Sequence, residues 1–441
     1  RGDGDYGALD LYDRNFTRLT HIRVNSGVGA TFDRINLTRC SNLRLTRVRV
    51  RPKTRTTAVY INGGHRVEIY SSDIAFAETS HDWTQNDWNS KTESGIRTTP
   101  SGTNHRFLYN TIHSVRHGIE IWSDSTLARH NHINQFNGRA IRIFANQAKV
   151  YDNLITNNQH TDGATVAIQS MTRSASGTYG GGVLTGVHVR GNLIVESTYP
   201  NKRFPGMLQG IAFFDGIYKN YRIHHNVVVV DHWHGISLHG SEGSSIYQNT
   251  VVDARPGTGG KPWIQVGNHK NGTVNSATRV YRNVTASLNP IGAVDSYDNE
   301  IVGSSAYENH FRDPVNHDWR SAVPSQRGAS MGRLFMSDTL MGVGARSSVA
   351  LGTSMSRQTC HLSPSDPLCD GVLSDLDMFT LGNPLKWGAL RRVEGQYNFA
   401  DADRMLDFAA GNGLSVHGHT LVWTVDNPAW LEAYRGNSTA L

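Results

Sequence analysis

Apolar and polar positions in the first 330 residues alternate in short bursts, each closed by an asparagine. The pattern apolar–x–apolar–x–x–Asn–apolar recurs with its asparagine at Asn110, Asn131, Asn153, Asn192, Asn226, Asn249, Asn283 and Asn299. Several separations are 21–23 residues, the length of one coil of a parallel β-solenoid, and the longer ones of 34 and 39 are one coil plus an inserted loop. Asparagine tolerates a left-handed backbone, and its amide can bond backbone groups at a bend. The asparagines are therefore expected to stack as a ladder, with Asn110, Asn131 and Asn153 at equivalent bends.

A second strand falls in each coil, a run such as GIRT, GIEIW, RAIRIF, TVAIQS, GIAFF, GISLH or WIQVG. Period-two alternation sends Ile119 and Ile121 inward, so Glu120 and Trp122 point outward. Stacking these runs predicts an outward row Tyr60, Arg97, Glu120, Arg142, Ala167, Ala212, Ser237, Gln265. Beside it runs Asn62, Thr99, Trp122, Phe144, Gln169, Phe214, His239. Loops 78–94, 197–209 and 255–262 feed the same strands and would wall a groove, where binding residues tend to gather. In RCSNLRLTRVRVRPK, Arg47, Arg49 and Arg51 alternate with Val48 and Val50. They form either a cationic track or a charged sheet edge that resists aggregation.

Composition narrows the partner. A net charge of +6 fits nucleic acid, anionic membranes or acidic polymers. No nucleic-acid motif and no dense lysine run accompany it, and no apolar run is long enough to span a bilayer. An extended acidic glycan is the expected partner, with neither nucleic acid nor a membrane span. Of three cysteines, Cys40 stands alone, while Cys360 and Cys369 bracket a short loop that an oxidising compartment could close as a disulfide. No Cys/His set has zinc spacing, so neither metal nor cofactor is expected. The missing initiator methionine suggests a processed or excised portion of a chain, and the expected location is extracellular or periplasmic.

With its asparagine repeat and GIxI strands, the stretch 8–328 resembles the right-handed parallel β-helix proteins, many of them polysaccharide lyases, hydrolases and epimerases. The fold expected for 1–328 is thus a mainly β, right-handed parallel β-helix; one fold hosts many reactions. Hydrolysis asks for two carboxylates about 5–10 Å apart. Glu120 stands between two arginines, which would depress its pKa, and Asp215 lies three coils away, though Asp124, Asp82 or Asp87 could complete a pair. Eliminative cleavage of a uronate asks for a cation on the carboxylate and a base for the adjacent proton. Arg97, Arg139 and Arg142 supply cations, His117 or His239 a base, and Tyr60 an acid. Trp122, Phe144, Gln169, Phe214 and His239 complete the expected substrate contacts. C5-epimerisation and binding alone stay open; the other histidines read as turn or packing residues.

The repeat breaks at 311–329, and 329–441 reads as a separate α/β unit. MGRLFMSDTLMGVG predicts a helix, VALGTSM a strand, ADADRMLDFAAGNG an amphipathic helix closed by glycine, and LSVHGHTLVW a buried strand. VALGTSM, NPLKW, GQYNFADADRMLDFAAGNGLSVHGHTLVW and PAWL resemble the opening of family-10 glycoside hydrolases, (β/α)8 barrels of endo-xylanase type. The resemblance implies sugar-binding roles for Asn383, Lys386 and His419, with Trp387 and Trp423 as aromatic neighbours. Gly382 replaces the family's glutamate before the asparagine, and Thr424 its histidine after GHTLVW. Such a barrel takes roughly 250 residues. The stretch from 330 thus corresponds to its first part, without the later strands that carry the family's two catalytic glutamates.

Overall fold

The computed structural model describes residues 5–15, 18–19, 31–159, 165–172, 180–196, 203–204, 207–255, 261–314, 318–322, 328, 352–355, 378–412, 415–419 and 427–434. The chain forms two compact units, Arg1–Arg333 and Leu334–Leu441. Cys360, Cys369, Trp423 and the helix expected at 331–344 lie outside the described residues.

The first unit is a parallel β-helix. Three-residue strands before the asparagines, such as Arg106–Leu108, Leu127–Arg129 and Lys149–Tyr151, stack into an 11-stranded sheet. Their middle residues, Phe107, Ala128 and Val150, are fully buried. The strands after the asparagines and the GIxI runs merge into a 19-stranded sheet, because Thr111–Ile121 and His132–Ile143 run through both positions. Ile119, Ile141, Ile168, Ile211, Ile236 and Ile264 stack strand on strand at a buried position. Burying each such side chain stabilises the coil by about 1.5–3 kcal/mol. The antiparallel pair Phe311–Asp313 and Asp318–Ser321 follows the last coil.

The asparagine ladder is continuous. Each Nδ2 donates to the next Oδ1 at 2.9–3.0 Å, from Asn110 through to Asn299. Each backbone N–H donates to that same oxygen. The left-handed residue, however, is the one before the asparagine: Tyr109, His130, Asp152, His225, Gln248, Arg282 and Asp298 have φ of 49–59°, and Gly191 63°. The asparagine is therefore selected for its amide, not for its backbone.

The glycine of GIxI also has a steric reason. A Cβ on Gly118 would sit 2.5 Å from the Ala140 carbonyl oxygen, and one on Gly210 2.2 Å from that of Gly235. Adjacent coils approach too closely there for a side chain. Cys40 is a free, fully buried thiol whose Sγ lies 3.5 Å from the Leu11 carbonyl oxygen.

In the second unit, Gly352–Met355, Met378–Leu381 and Ser415–His417 form a parallel sheet in chain order. The helix Ala400–Asn412 buries Ala402, Met405, Phe408 and Ala409 against Leu381, spaced i, i+3, i+6, i+7 along one face of an amphipathic helix. Among the described residues, no helix is long and apolar enough to cross a membrane.

Candidate functional site

The register of the GIxI strands decides which side chains meet. Tyr60 pairs with Arg97, Arg97 with Glu120, and Glu120 with Arg142, as the alternation predicts. The next member is Gln169, followed by Ala212, Ser237 and Gln265. Gln169 therefore belongs to the first row, not the second, and Ala167 is a fully buried residue beside it. The slip of two has a physical cause. The inward partner of Ile143 is Ser170, whose Oγ meets Tyr221 Oη at 3.0 Å, while Tyr218 Oη donates to its carbonyl at 2.7 Å. A serine under two tyrosines breaks the Ile–x–Ile pattern, and Val166–Ile168 imitates it one step early.

Glu120 is almost wholly buried, with a side-chain exposure of 4%. Arg142 Nη1 donates to its Oε1 at 2.8 Å, Ser94 Oγ to its Oε2 at 2.5 Å, and Arg97 Nε lies 3.9 Å from Oε2. The row read as outward from the alternation is thus closed over at Glu120. Removing Arg142 alone would strand a buried carboxylate. Arg97, at 39% exposure, is the more open cation. Arg139 Nε donates to Gln169 Oε1 at 3.1 Å. Two arginines thus face one carboxylate, with Arg139 on the same strand as Arg142, so the strip carries an excess of positive charge.

Trp122 and Phe144 stack on each other, centroids 3.9 Å apart and planes within 11°. The guanidinium of Arg97 lies 5.7 Å from the Trp122 centroid, and that of Arg142 4.9 Å from Phe144. Both rings are half-buried, so each has a face already engaged. Arg142 Nε and Trp122 Nε1 are buried with no hydrogen-bond partner among the described residues.

His117 is not placed to act as a base. Its Nδ1 accepts from the Arg139 backbone N–H at 3.2 Å, and its Nε2 faces Arg142 Nη1 at 3.4 Å. Burial, then Arg142, Arg139, Arg116 and Arg97, hold its pKa well below the ordinary value. His239 Nε2 meets Gln265 Oε1 at 3.0 Å, beside Phe214 at 5.0 Å, and its strand lies three beyond that of Arg142.

The acids do not pair. Asp215 stands three strands from Glu120, about 14 Å at the strand spacing, and binds Lys270 Nζ at 2.5 Å. Asp87 closes the capping box of the helix Gln85–Lys91 with Thr84, and Asp124 accepts from the Asn146 backbone N–H at 2.8 Å. Trp88 is fully buried edge-to-face with Trp83, so these tryptophans anchor loop 78–94. That loop meets loop 197–209 where Arg203 Nη1 donates to the Asp82 carbonyl at 2.8 Å. Arg49 and Arg51 pair with Asp73 and Glu78, which favours the charged edge over a free cationic track. Among the described residues, no group of three or more His, Cys, Asp or Glu could hold a metal ion.

Sequence reasoning missed Trp233 and His234. Trp233 precedes a strand and breaks no pattern, so no signal marked it. With Trp263 these residues form an aromatic cluster on the same sheet.

Burial also makes stability depend on pH. His105 and His132 are lowered from 6.5 to about 4, chiefly by burial. His117, His130, His188 and His224 are pushed well below the ordinary value, also by burial first. These imidazoles take up protons more readily unfolded than folded. Their stabilisation is complete above about 6.5 and is lost as pH falls from there toward about 4. The urea midpoint of the first unit should drop steadily across that window; a flat profile would contradict the burial of these rings.

In the second unit Asn383 is exposed after the strand Met378–Leu381, and its carbonyl accepts the Lys386 N–H at 2.9 Å. His419 follows the strand Ser415–His417. All three sugar-binding candidates thus follow the C-terminal ends of parallel strands, where such folds place their binding residues. Trp387 meets Trp430 edge-on at 5.6 Å.

Residues 343–441 match glycosyl hydrolase family 10. Endo-1,4-beta-xylanase 3 of Hypocrea jecorina is 43% identical over 60 residues, which cover 14% of this chain and 17% of that protein. The chain spans about one sixth of the length of this curated relative. The family-10 match confines itself to the second unit. Over the solenoid, the Dettilon tailspike protein aligns at 10% identity and a TM-score of 0.37, covering 66% of this chain and 61% of that one. The mannuronan C-5 epimerase A-module of Azotobacter vinelandii aligns at 10% and 0.35, covering 67% and 79%.

Proposed function

We propose that this is an extracellular or periplasmic polysaccharide-processing protein whose solenoid holds an acidic polysaccharide along the Arg97–Arg142 strip and cleaves it by β-elimination at a uronate. The observation that carries the reading is the placement of Arg97 and Arg142 on either side of the Glu120 carboxylate, beside Trp122 and Phe144. Arg97 neutralises the uronate carboxylate, which acidifies the proton on the adjacent carbon. Tyr60, at the neighbouring outward position, exchanges the protons. As the phenolate it takes the proton from C5, the C4–O4 bond breaks as a C4=C5 double bond forms, and the phenol so formed returns that proton to the departing O4. No oxidant or further reactant is needed. With Asp215 about 14 Å from Glu120, a hydrolytic carboxylate pair has less support on this strip.

The family-10 match favours a second reading, xylan hydrolysis by a barrel to which residues 343–441 contribute. One assay separates them. The chain is incubated with polygalacturonate, alginate and glucuronoxylan while ultraviolet absorbance and reducing ends are followed. Elimination raises both; hydrolysis raises reducing ends alone. Binding without either signal would leave a glycan-binding protein, and Arg97→Ala that binds acidic glycans like the parent would remove the strip from consideration.

A further inference from the structure

The positive charge of the solenoid strip is confined to a few coils. Three and four strands beyond Arg142, the same sheet carries Trp233, His234 and Trp263. Trp233 is 50% exposed, and its ring lies parallel to that of Trp263, planes within 10° and centroids 6.1 Å apart. Trp263 is fixed from behind. Its Nε1 donates to Ser237 Oγ at 3.2 Å, and the same oxygen lies 3.0 Å from His234 Nδ1. Phe214 closes on His234 at 4.6 Å. Among the described residues the charges nearby face opposite charges: Asp231 pairs with Arg255, Asp215 pairs with Lys270, and Lys261 acts on Asp253. His234 is also neutral at ordinary pH, lowered to about 4 by burial first and then by His232 and His239.

We infer that Trp233 and Trp263 form a neutral-sugar subsite on the same face as the arginine strip, and that the ligand is therefore a mostly neutral polysaccharide carrying spaced uronates. The inference rests on the proposed acidic-glycan strip and specifies its substrate. An indole anchored at its N–H and open on its flank suits the apolar face of an uncharged sugar ring. A uronate homopolymer would instead set carboxylates against this apolar shelf, where the cations named among the described residues already face acids of the chain. At the strand spacing the shelf lies about 14–19 Å from Arg142 and about 24–29 Å from Arg97, so only an extended chain of several sugars reaches both loci.

The test uses the full chain with two probes, glucuronoxylan and polygalacturonate, and the variants Trp233→Ala, Trp233→Phe and Arg97→Ala. Trp233→Ala should bind glucuronoxylan roughly five- to tenfold more weakly, the worth of one stacking contact, and polygalacturonate unchanged. Trp233→Phe should recover most of the loss. Arg97→Ala should weaken both polymers. An equal loss on both polymers with Trp233→Ala, or none on either, overturns the subsite while the strip stands on the Arg97 result. Arg97→Ala with parental binding to both sinks the strip, and with it the inferred spaced-uronate ligand. A parent chain that binds neither polymer ends both readings. Trp233 is half exposed, so unchanged circular dichroism is expected to show that Trp233→Ala is folded.

Discussion

Asn153→Ala should destabilise the solenoid by about 3–5 kcal/mol, while Asn299→Ala should cost about 1 kcal/mol or less. Asn153 is fully buried at the middle of the ladder. Its Oδ1 accepts both the Asn131 N–H and the Asn131 Nδ2, each at 2.9 Å. Its Nδ2 donates to the Ala128 carbonyl at 3.0 Å and to Asn192 Oδ1 at 2.9 Å. Alanine strands two donors and weakens two acceptors out of reach of water, and each unsatisfied buried group costs about 1–3 kcal/mol. Asn299 closes the ladder only half-buried, so water can replace much of what it loses. Asn153→Asp should be no gentler. It keeps the acceptors for Asn131 but loses both donors and turns a carboxylate toward Asn192 Oδ1. Chemical denaturation of the three variants reads the difference directly. An Asn153→Ala midpoint within error of the parent, or equal losses at Asn153 and Asn299, would contradict a ladder held by buried amides.

The ladder was legible in the sequence because one residue type recurs at one phase of every coil. Its mechanism was half legible: the amide-to-amide bonds follow from stacking, but the left-handed turn sits one residue earlier. Tyr, His, Asp and Gln occupy that position in different coils, so composition cannot mark it. The parallel strands and the Tyr60–Arg97–Glu120–Arg142 row were legible for the same reason, since paired isoleucines fix the face. The register slips at the strand Thr165–Met171, where Ser170 fills an inward position because Tyr218 and Tyr221 supply the packing from another part of the coil. Alternation reads one strand at a time and is blind to what fills the core opposite. Burial was the least legible quantity. Glu120 and His117 sit at positions that the alternation opens to solvent or leaves undecided, yet Ser94, Arg97 and Arg142 cover the one and Gly138 and Arg142 crowd the other.

That burial reverses the expected energetics of the arginine strip. An exposed Arg97–Glu120–Arg142 ladder would lose less than about 1 kcal/mol on removal of the glutamate. With Glu120 at 4% and Arg142 at 14% exposure, the pair is desolvated, and breaking it from one side should cost about 3–5 kcal/mol. Glu120→Leu leaves Arg142 charged, with Nη1 deprived of its acceptor and Nε already without a partner among the described residues. Glu120→Leu combined with Arg142→Met removes both charges and fills similar volume, so most of the loss should be recovered. Arg97→Ala should cost less than about 1 kcal/mol, because its contact is long and its side chain 39% exposed. The order expected in urea is therefore Glu120→Leu far below the double variant, with Arg97→Ala close to the parent. Glycan binding should follow a different order. Arg97→Ala folds normally but loses the cation most open to a uronate, and should weaken acidic-glycan affinity roughly tenfold or more. The double variant regains stability without regaining a positive strip beside Phe144, so it too should bind acidic glycan more weakly than the parent. If stability and binding rise and fall together across these variants, the strip is only a structural ion pair and the uronate site lies elsewhere. If the double variant is stable and binds poorly, the same arginines that neutralise Glu120 inside the fold also present its surplus charge to the ligand.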